Sequence, residues 1–429
     1  MLLPLRRSLF AAVSASGGLR LALSTAASDS RLPSWALIHR ISGTGPDGAG
    51  ASVSLTPPPS PSSILVPERV YGLDAHPSQE GCTNLLSCVA HAASADGLLL
   101  LTPFTVRYRA RPNANLDLPI HMLLKSSPFE VVHQFLYRFV CNPVTGELFR
   151  LPDFDDQEKE LGDQYLGIIT DAAGPKGRPE RYAVAQLSDQ EGNWGRRWFV
   201  LRRFASETGK WDKLMLRSPL PSRRRMHLNH EVVAFRGRLW WMDVSWGAVS
   251  VDPFSDRLEL RSVQMPSESM RPGQEDEEAM KQLVKRRRLG VSGGRLCYAE
   301  VGAEEPYLIK LFTLDEDSGR WTLEHQVPFT ALLTRGGFTP APLLGAIDPL
   351  NSGHVYLSID REFTLAVDMA KKEVIGASAL GEVRPTKNSS SFFLPCVLDD
   401  GLASYRIPGY KDGTGNKTLA EVLVRSGGN

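Results

Sequence analysis

Short runs in which apolar and polar residues alternate recur along this chain, separated by polar turns that carry glycine, asparagine or aspartate. Arg238-Leu-Trp-Trp-Met-Asp-Val is one such run. A period of two puts successive side chains on opposite faces, the pattern of a β-strand. Three runs open alike: Gly237-Arg-Leu-Trp-Trp, Gly294-Arg-Leu-Cys-Tyr and Gly353-His-Val-Tyr-Leu, 57 and 59 residues apart. Each is followed by a second strand, then a turn, then another strand. The turns begin at Asp252, Asp315 and Asp368, and Asn142 and Ala205 begin similar ones upstream, giving steps of 63, 47, 63 and 53 residues. Side-chain acceptors and glycine at such places suit tight turns.

Strand-turn-strand units repeating at about 55 residues predict an all-β fold, a β-propeller of five or six blades built from antiparallel strands. A first unit runs from Trp35 to about Leu65, and a last strand near Phe392–Leu398 is expected to close the ring against it. The competing expectation is a set of unrelated hairpins that share turn chemistry. Three segments depart from the pattern: Pro57–Pro61 is expected to be a stiff surface loop, the tail after Gly409 to be frayed, and around 275–288, within Gly273–Arg288, acids come first and bases last, which suits a short inserted helix complementing its own dipole. The organisation expected is a transit-like targeting segment over 1–28, a propeller-like domain over 32–409 and a flexible tail over 410–429.

Composition narrows the function classes. A formal net charge of +1 supplies no field to gather nucleic acid, so no nucleic-acid partner is expected. No apolar run reaches the length of a membrane-spanning helix. The five cysteines, Cys82, Cys88, Cys141, Cys297 and Cys396, make no CxxC pair and suit reduced, buried thiols. Residues 1–28 hold Arg6, Arg7, Arg20 and five serines with no acid before Asp29. That composition predicts an organellar address, mitochondrion ahead of chloroplast, with cytosol or nucleus as alternatives.

Candidate chemistry is sparse. Gly43-Thr-Gly-Pro-Asp-Gly spells a dinucleotide-binding pattern, but a strand rather than a helix follows it, so a loop is expected and no cofactor. Gly290-Val-Ser-Gly-Gly spells a nucleophile elbow, but Ser292 precedes a strand and fits a turn. His227, His230 and Glu231 could suggest a metal, yet an incipient strand sends His227 and His230 to opposite sides and no third ligand is evident, so no metal is expected. Arg223-Arg-Arg and Lys285-Arg-Arg-Arg are expected to be solvated loop or helix faces. Trp241, Asp243 and Trp246 are candidate partner contacts at a hairpin tip, with packing against an adjacent blade as the competing role. Only one of Trp240 and Trp241 is expected to enter a blade interface. The reading is a non-catalytic scaffold binding a protein or other macromolecule through rim loops; the alternative is an enzyme with its site in the central channel.

The segment Asn229–Asp256 and its continuations, Arg287-Arg-Leu-Gly-Val-Ser-Gly-Gly-Arg-Leu-Cys-Tyr and Leu311-Phe-Thr-Leu-Asp-Glu-Asp-Ser-Gly-Arg-Trp, resemble domain-of-unknown-function 1618, a plant family abundant in grasses. That resemblance implies a propeller-like fold and no assigned reaction. A more distant resemblance, through Asn142-Pro-Val-Thr and the strand ends Leu151-Pro and Met265-Pro, is to the propeller halves of plant F-box proteins. An F-box would need a helical segment where the transit-like stretch lies, so a ubiquitin-ligase adaptor is not expected.

Overall fold

The computed structural model describes residues 32–73, 80–110, 129–153, 165–171, 179–191, 197–221, 224–228, 230–271, 277–332, 341–380 and 392–409. The address expected at 1–28 and the tail at 410–429 lie outside them. Among the described residues the strands form six sheets, and the expected all-β propeller is what the chain adopts. Four sheets are antiparallel four-stranded meanders in chain order. Sheet III holds Leu166–Asp171, Arg181–Glu191, Arg197–Ala205 and Lys210–Arg217; sheet IV holds Val232–Phe235, Arg238–Asp243, Gly247–Val251 and Arg261–Gln264. Sheet V holds Arg287–Ser292, Arg295–Val301, Leu308–Asp315 and Arg320–Pro328; sheet VI holds Leu343–Ile347, His354–Ile359, Phe363–Asp368 and Glu373–Ala379.

The other two sheets are less regular. In sheet I the C-terminal strand Phe393–Val397 pairs antiparallel with the N-terminal Trp35–His39, which pairs parallel with Pro61–Pro67. This is the ring closure expected from the sequence. Sheet II is built on the long hairpin Cys82–Ala93 and Leu99–Ala110, extended by Ile41–Ser42, Phe139–Cys141 and Leu148–Arg150, with Phe129–Leu136 also on Leu99–Ala110.

The turns behave as their residues dictate. Asn142, Ala205, Asp252, Asp315 and Asp368 each stand at the turn between the last two strands of sheets II to VI. The Asn142, Asp252, Asp315 and Asp368 side chains accept from the backbone N–H of Val144, Phe254, Asp317 and Ala370, at 2.9–3.1 Å. Ala205 has no acceptor, and its carbonyl takes the Gly209 N–H instead. Gly237 and Gly294 close two-residue hairpin loops, Arg236-Gly237 and Gly293-Gly294, in which both residues have positive φ. That is the turn whose twist matches paired strands. Gly353, at φ 92°, ends a longer loop. Two of the tryptophans that follow the turns reach back one sheet: Trp211 Nε1 donates to Pro152 O and Trp321 Nε1 to Gln264 O, both at 2.8 Å.

Every neighbouring pair of sheets shares a hydrophobic core. One cluster joins I, II and III, and others join III to IV, IV to V, V to VI and VI back to I. A blade thus buries both faces. Along Trp35–His39, Trp35 and Leu37 pack toward VI while Ala36 and Ile38 pack toward II. Both members of the tryptophan pair are buried for the same reason, correcting the expectation that only one could be. Trp241 enters the III–IV core, where Nε1 donates to Tyr165 O at 3.0 Å, and Trp240 enters the IV–V core.

A short helix, α1 (Glu277–Arg286), precedes sheet V. It ends earlier than its charge pattern suggested, because Arg287 and Arg288 already belong to the inner strand of sheet V.

Candidate functional site on the propeller axis

Inner strands from five sheets surround a cavity of about 150 Å³. Its wall comes from residues along the strands, among them Val232, Leu289, Ile347 and Leu394, and its charged lining is Arg40, Glu231 and Arg288. The sequence sets these three apart from the wall. Arg40 occupies the single residue between Trp35–His39 and Ile41–Ser42, where the chain passes from sheet I to sheet II. Glu231 directly precedes the first strand of sheet IV, and Arg288 is the second residue of sheet V.

The cluster they form is buried, its charged groups within ion-pair distance of one another. Glu231 Oε2 lies 2.8 Å from His230 Nδ1 and 3.8 Å from Arg40 Nη2, and Glu231 Oε1 lies 3.6 Å from Arg288 Nε. Arg288 Nη1 is 2.9 Å from His230 Nε2. His230 Nε2 also lies 2.8 Å from Arg287 O, so the ring is held between a carboxylate, a guanidinium and a backbone carbonyl. Arg40 donates from Nε to Phe393 O and from Nη1 to Ala90 O and His91 O, at 3.2, 3.0 and 2.8 Å. Arg288 also donates to Val284 O at the end of α1. One cluster therefore ties together sheets I, II, IV and V and the inserted helix.

Electrostatics follow from that geometry. Burial favours the protonated Glu231 carboxyl, but His230, Arg288 and Arg40 outweigh it and hold the group well below the usual carboxylate range. Burial lowers His230, with Arg288 and Arg40 acting the same way against Glu231. Burial brings Arg288 down to about 10, against the pull of Glu231. Beside the cluster, burial lowers His39 to about 4, and burial with Arg40 and Arg138 lowers His91 to about 3. These shifts move the carboxylate and the imidazoles away from neutrality, opposite to the tuning of a general acid or base. The arrangement holds charges in place.

Several sequence candidates change character here. His227 is exposed and His230 buried, so they do not converge. Among the described residues no group of three or more His, Cys, Asp or Glu is placed to hold a metal. Lys285-Arg-Arg-Arg is not a solvated face: Arg287 and Arg288 are 4% and 1% exposed, and Arg287 Nη2 pairs with Glu300 at 3.3 Å. The physical reason is that the helix hands over to an inner strand within this run. Of the other basic run, Arg223 lies outside the described residues. Arg224 is anchored to Asp243 and Ser245 at 3.3 and 3.2 Å and lies over the Trp246 ring, while Arg225 is exposed. Ser292 is buried at the end of its strand and leads into the Gly293-Gly294 turn. No helix follows Gly43–Gly48, which runs on to the strand Ser52–Ser54.

Trp241, Asp243 and Trp246 are all buried, Trp246 at 8% exposure. Asp243 Oδ1 accepts from the Ser245 N–H and Oγ at 2.8 and 2.6 Å, and its Oδ2 accepts from the His227 N–H at 3.0 Å. The structure gives these side chains packing and turn-forming roles. Arg40 had no sequence signal at all, since a single arginine between two strands looks like any surface residue.

A family model described as F-box protein At3g26010-like, beta-propeller, matches residues 123–382, more than half of the chain. No curated protein sequence matches it. Among solved structures, a chain of the Mitotic Checkpoint Complex is 12% identical at a TM-score of 0.29, and 57% of this chain covers 60% of that one. The Myceliophteria thermophila Cps50 (Swd1) beta-propeller domain is 10% identical at a TM-score of 0.32, with 82% and 92% covered. A putative 6-phosphogluconolactonase from Bacteroides fragilis is 8% identical at a TM-score of 0.30, with 85% and 98% covered. At these scores the resemblance does not extend to function.

Proposed function

The chain belongs to the F-box protein At3g26010-like β-propeller family, and from that premise we propose that it is a non-catalytic scaffold that recognises a protein partner through its rim loops. The observation that carries this reading is the fused ring itself. Shared cores join each sheet to the next, and the Arg40–Glu231–Arg288 cluster ties four sheets together on the axis. A body so braced presents its loops in fixed relative positions, which suits recognition. The family description links such propellers to F-box proteins, which supports a protein as the partner. Within the family, the segment Asn229–Asp256 supports assignment to the grass-expanded domain of unknown function 1618.

Residues 1–28 address the chain to the mitochondrion, a reading supported by their arginines, serines and lack of acids. A reporter fused behind residues 1–28 tests the address, and a diffuse cytosolic signal counts against it. For the scaffold, the full chain is used as bait in proximity labelling. A reproducible partner that binds the purified chain directly is the expected result. Failure of every labelled protein to bind the purified, folded chain would count against recognition by this domain.

A further inference from the structure

The axial cavity itself points to a second property, independent of rim recognition. We propose that it binds a small monocarboxylic acid with a short aliphatic stem, the carboxylate meeting Arg40 and Arg288 and the stem lying along the apolar wall. Three observations converge. First, about 150 Å³ is room for roughly five waters at ~30 Å³ each, more than a solvation site needs and enough for a short acid. Second, the wall is apolar on the inner strands, with Val232, Leu289, Ile347 and Leu394 among its members, so a fully hydrated ion would lose water there without compensation.

Third, the charged lining is two guanidiniums with one carboxylate between them, at 3.8 and 3.6 Å. Guanidinium is the planar fork that matches a carboxylate, and two of them beside an apolar wall favour an anion over a neutral group. Arg40 and Arg288 are buried and held by backbone carbonyls of Phe393, Ala90, His91, Val284 and Arg287, so their charge is in place before a ligand arrives. Glu231 stays ionised across neutral pH, held so by His230, Arg288 and Arg40, which keeps one carboxylate between the two guanidiniums.

The test is calorimetric titration of the purified full chain with butanoate, 1-butanol and inorganic phosphate, and with a short peptide ending in a free valine carboxylate. Two wall variants, Val291→Phe and Ala95→Phe, fill space at positions that are half-buried and exposed, and leave the charges untouched. Having two of them keeps the test decisive if one fails to fold. The expected result is saturable, one-to-one butanoate binding that raises the melting temperature, no comparable binding of butanol or phosphate, and about tenfold or more weaker binding in a folded wall variant. Absence of butanoate binding to the folded chain overturns the proposal, as does equal binding of butanol. Preference for phosphate overturns the ligand class. Binding of the peptide acid in place of butanoate overturns a free small acid as the source. Undiminished butanoate binding to the folded wall variants places the ligand elsewhere and overturns the site.

Discussion

Sheets III to VI and sheets I and II solve the same problem with different materials. The first four are meanders: each strand pairs with its sequence neighbour. Sheets I and II rely on distant pairings, Trp35–His39 with Phe393–Val397 above all, and sheet I includes parallel pairs. Yet the cores between sheets are continuous all round. Local pairing can form a blade, but only the non-local pairing can turn blades into a ring, and it must bear the larger loop-closure entropy.

Removing the closure is the most drastic way to break the comparison. A chain ending at residue 391 loses buried Phe393, Leu394 and Cys396 together, a loss on the order of a small domain's whole stability of 5–15 kcal/mol. Calorimetry is expected to show no single cooperative transition. A transition like that of the full chain would mean that sheets II to VI stand without the ring.

Equivalent interfaces should cost alike. Trp241→Ala in the III–IV core and Trp35→Ala in the VI–I core, where Trp35 meets Tyr356 edge-on at 5.2 Å, are each expected to lose about 3–5 kcal/mol in denaturant melts. A large cost at Trp241 with almost none at Trp35 would show that the closing interface is ornamental.

The axial cluster joins both regions. Glu231→Gln removes the carboxylate between Arg40 and Arg288 and is expected to destabilise by about 3 kcal/mol, because it leaves buried cations without their counter-charge. Adding Arg288→Met should recover part of that loss; a purely additive double variant would dissolve the coupling.

Acid should act on the same place. His39, His91 and His230 have folded pKa values below the ordinary 6.5, so the unfolded chain takes up protons first as pH falls. Stability is then lost from about 6.5 downward, and for His39 the loss continues to its folded value of about 4. Glu231, lowered as well, adds loss in the same direction below the ordinary carboxylate range. Equilibrium unfolding at pH 7, 6 and 5 checks this, and a flat profile would contradict the burial of neutral imidazoles.

The turns offer the finest comparison. Asn142→Ala should cost about 2 kcal/mol, since its buried amide also donates to Leu402 O and Tyr405 O and thereby pins the C-terminal segment to sheet II. Asp252→Ala in sheet IV removes one turn bond and should cost about 1 kcal/mol or less. Equal costs would mean that the cross-chain bonds of Asn142 contribute nothing.

What the amino-acid sequence by itself determined lies within a few residues along the chain. Gly237 and Gly294 announce hairpins because positive φ is cheap only for them, and Asp252, Asp315 and Asp368 announce turns because their carboxylates reach the next N–H groups. Their spacing was enough to name a propeller and the strand that closes it. The tertiary structure alone decided which residues meet on the axis. Arg40, His230, Glu231 and Arg288 come from segments far apart in sequence, and in a run such as Lys285–Arg288 charge reads as solvent exposure. Packing of sheet V against sheet IV reverses that reading: it carries the basic strand into the interior and supplies the Glu231 carboxylate and the Val244 carbonyl, which with Val284 O from the inserted helix hold the buried guanidiniums there.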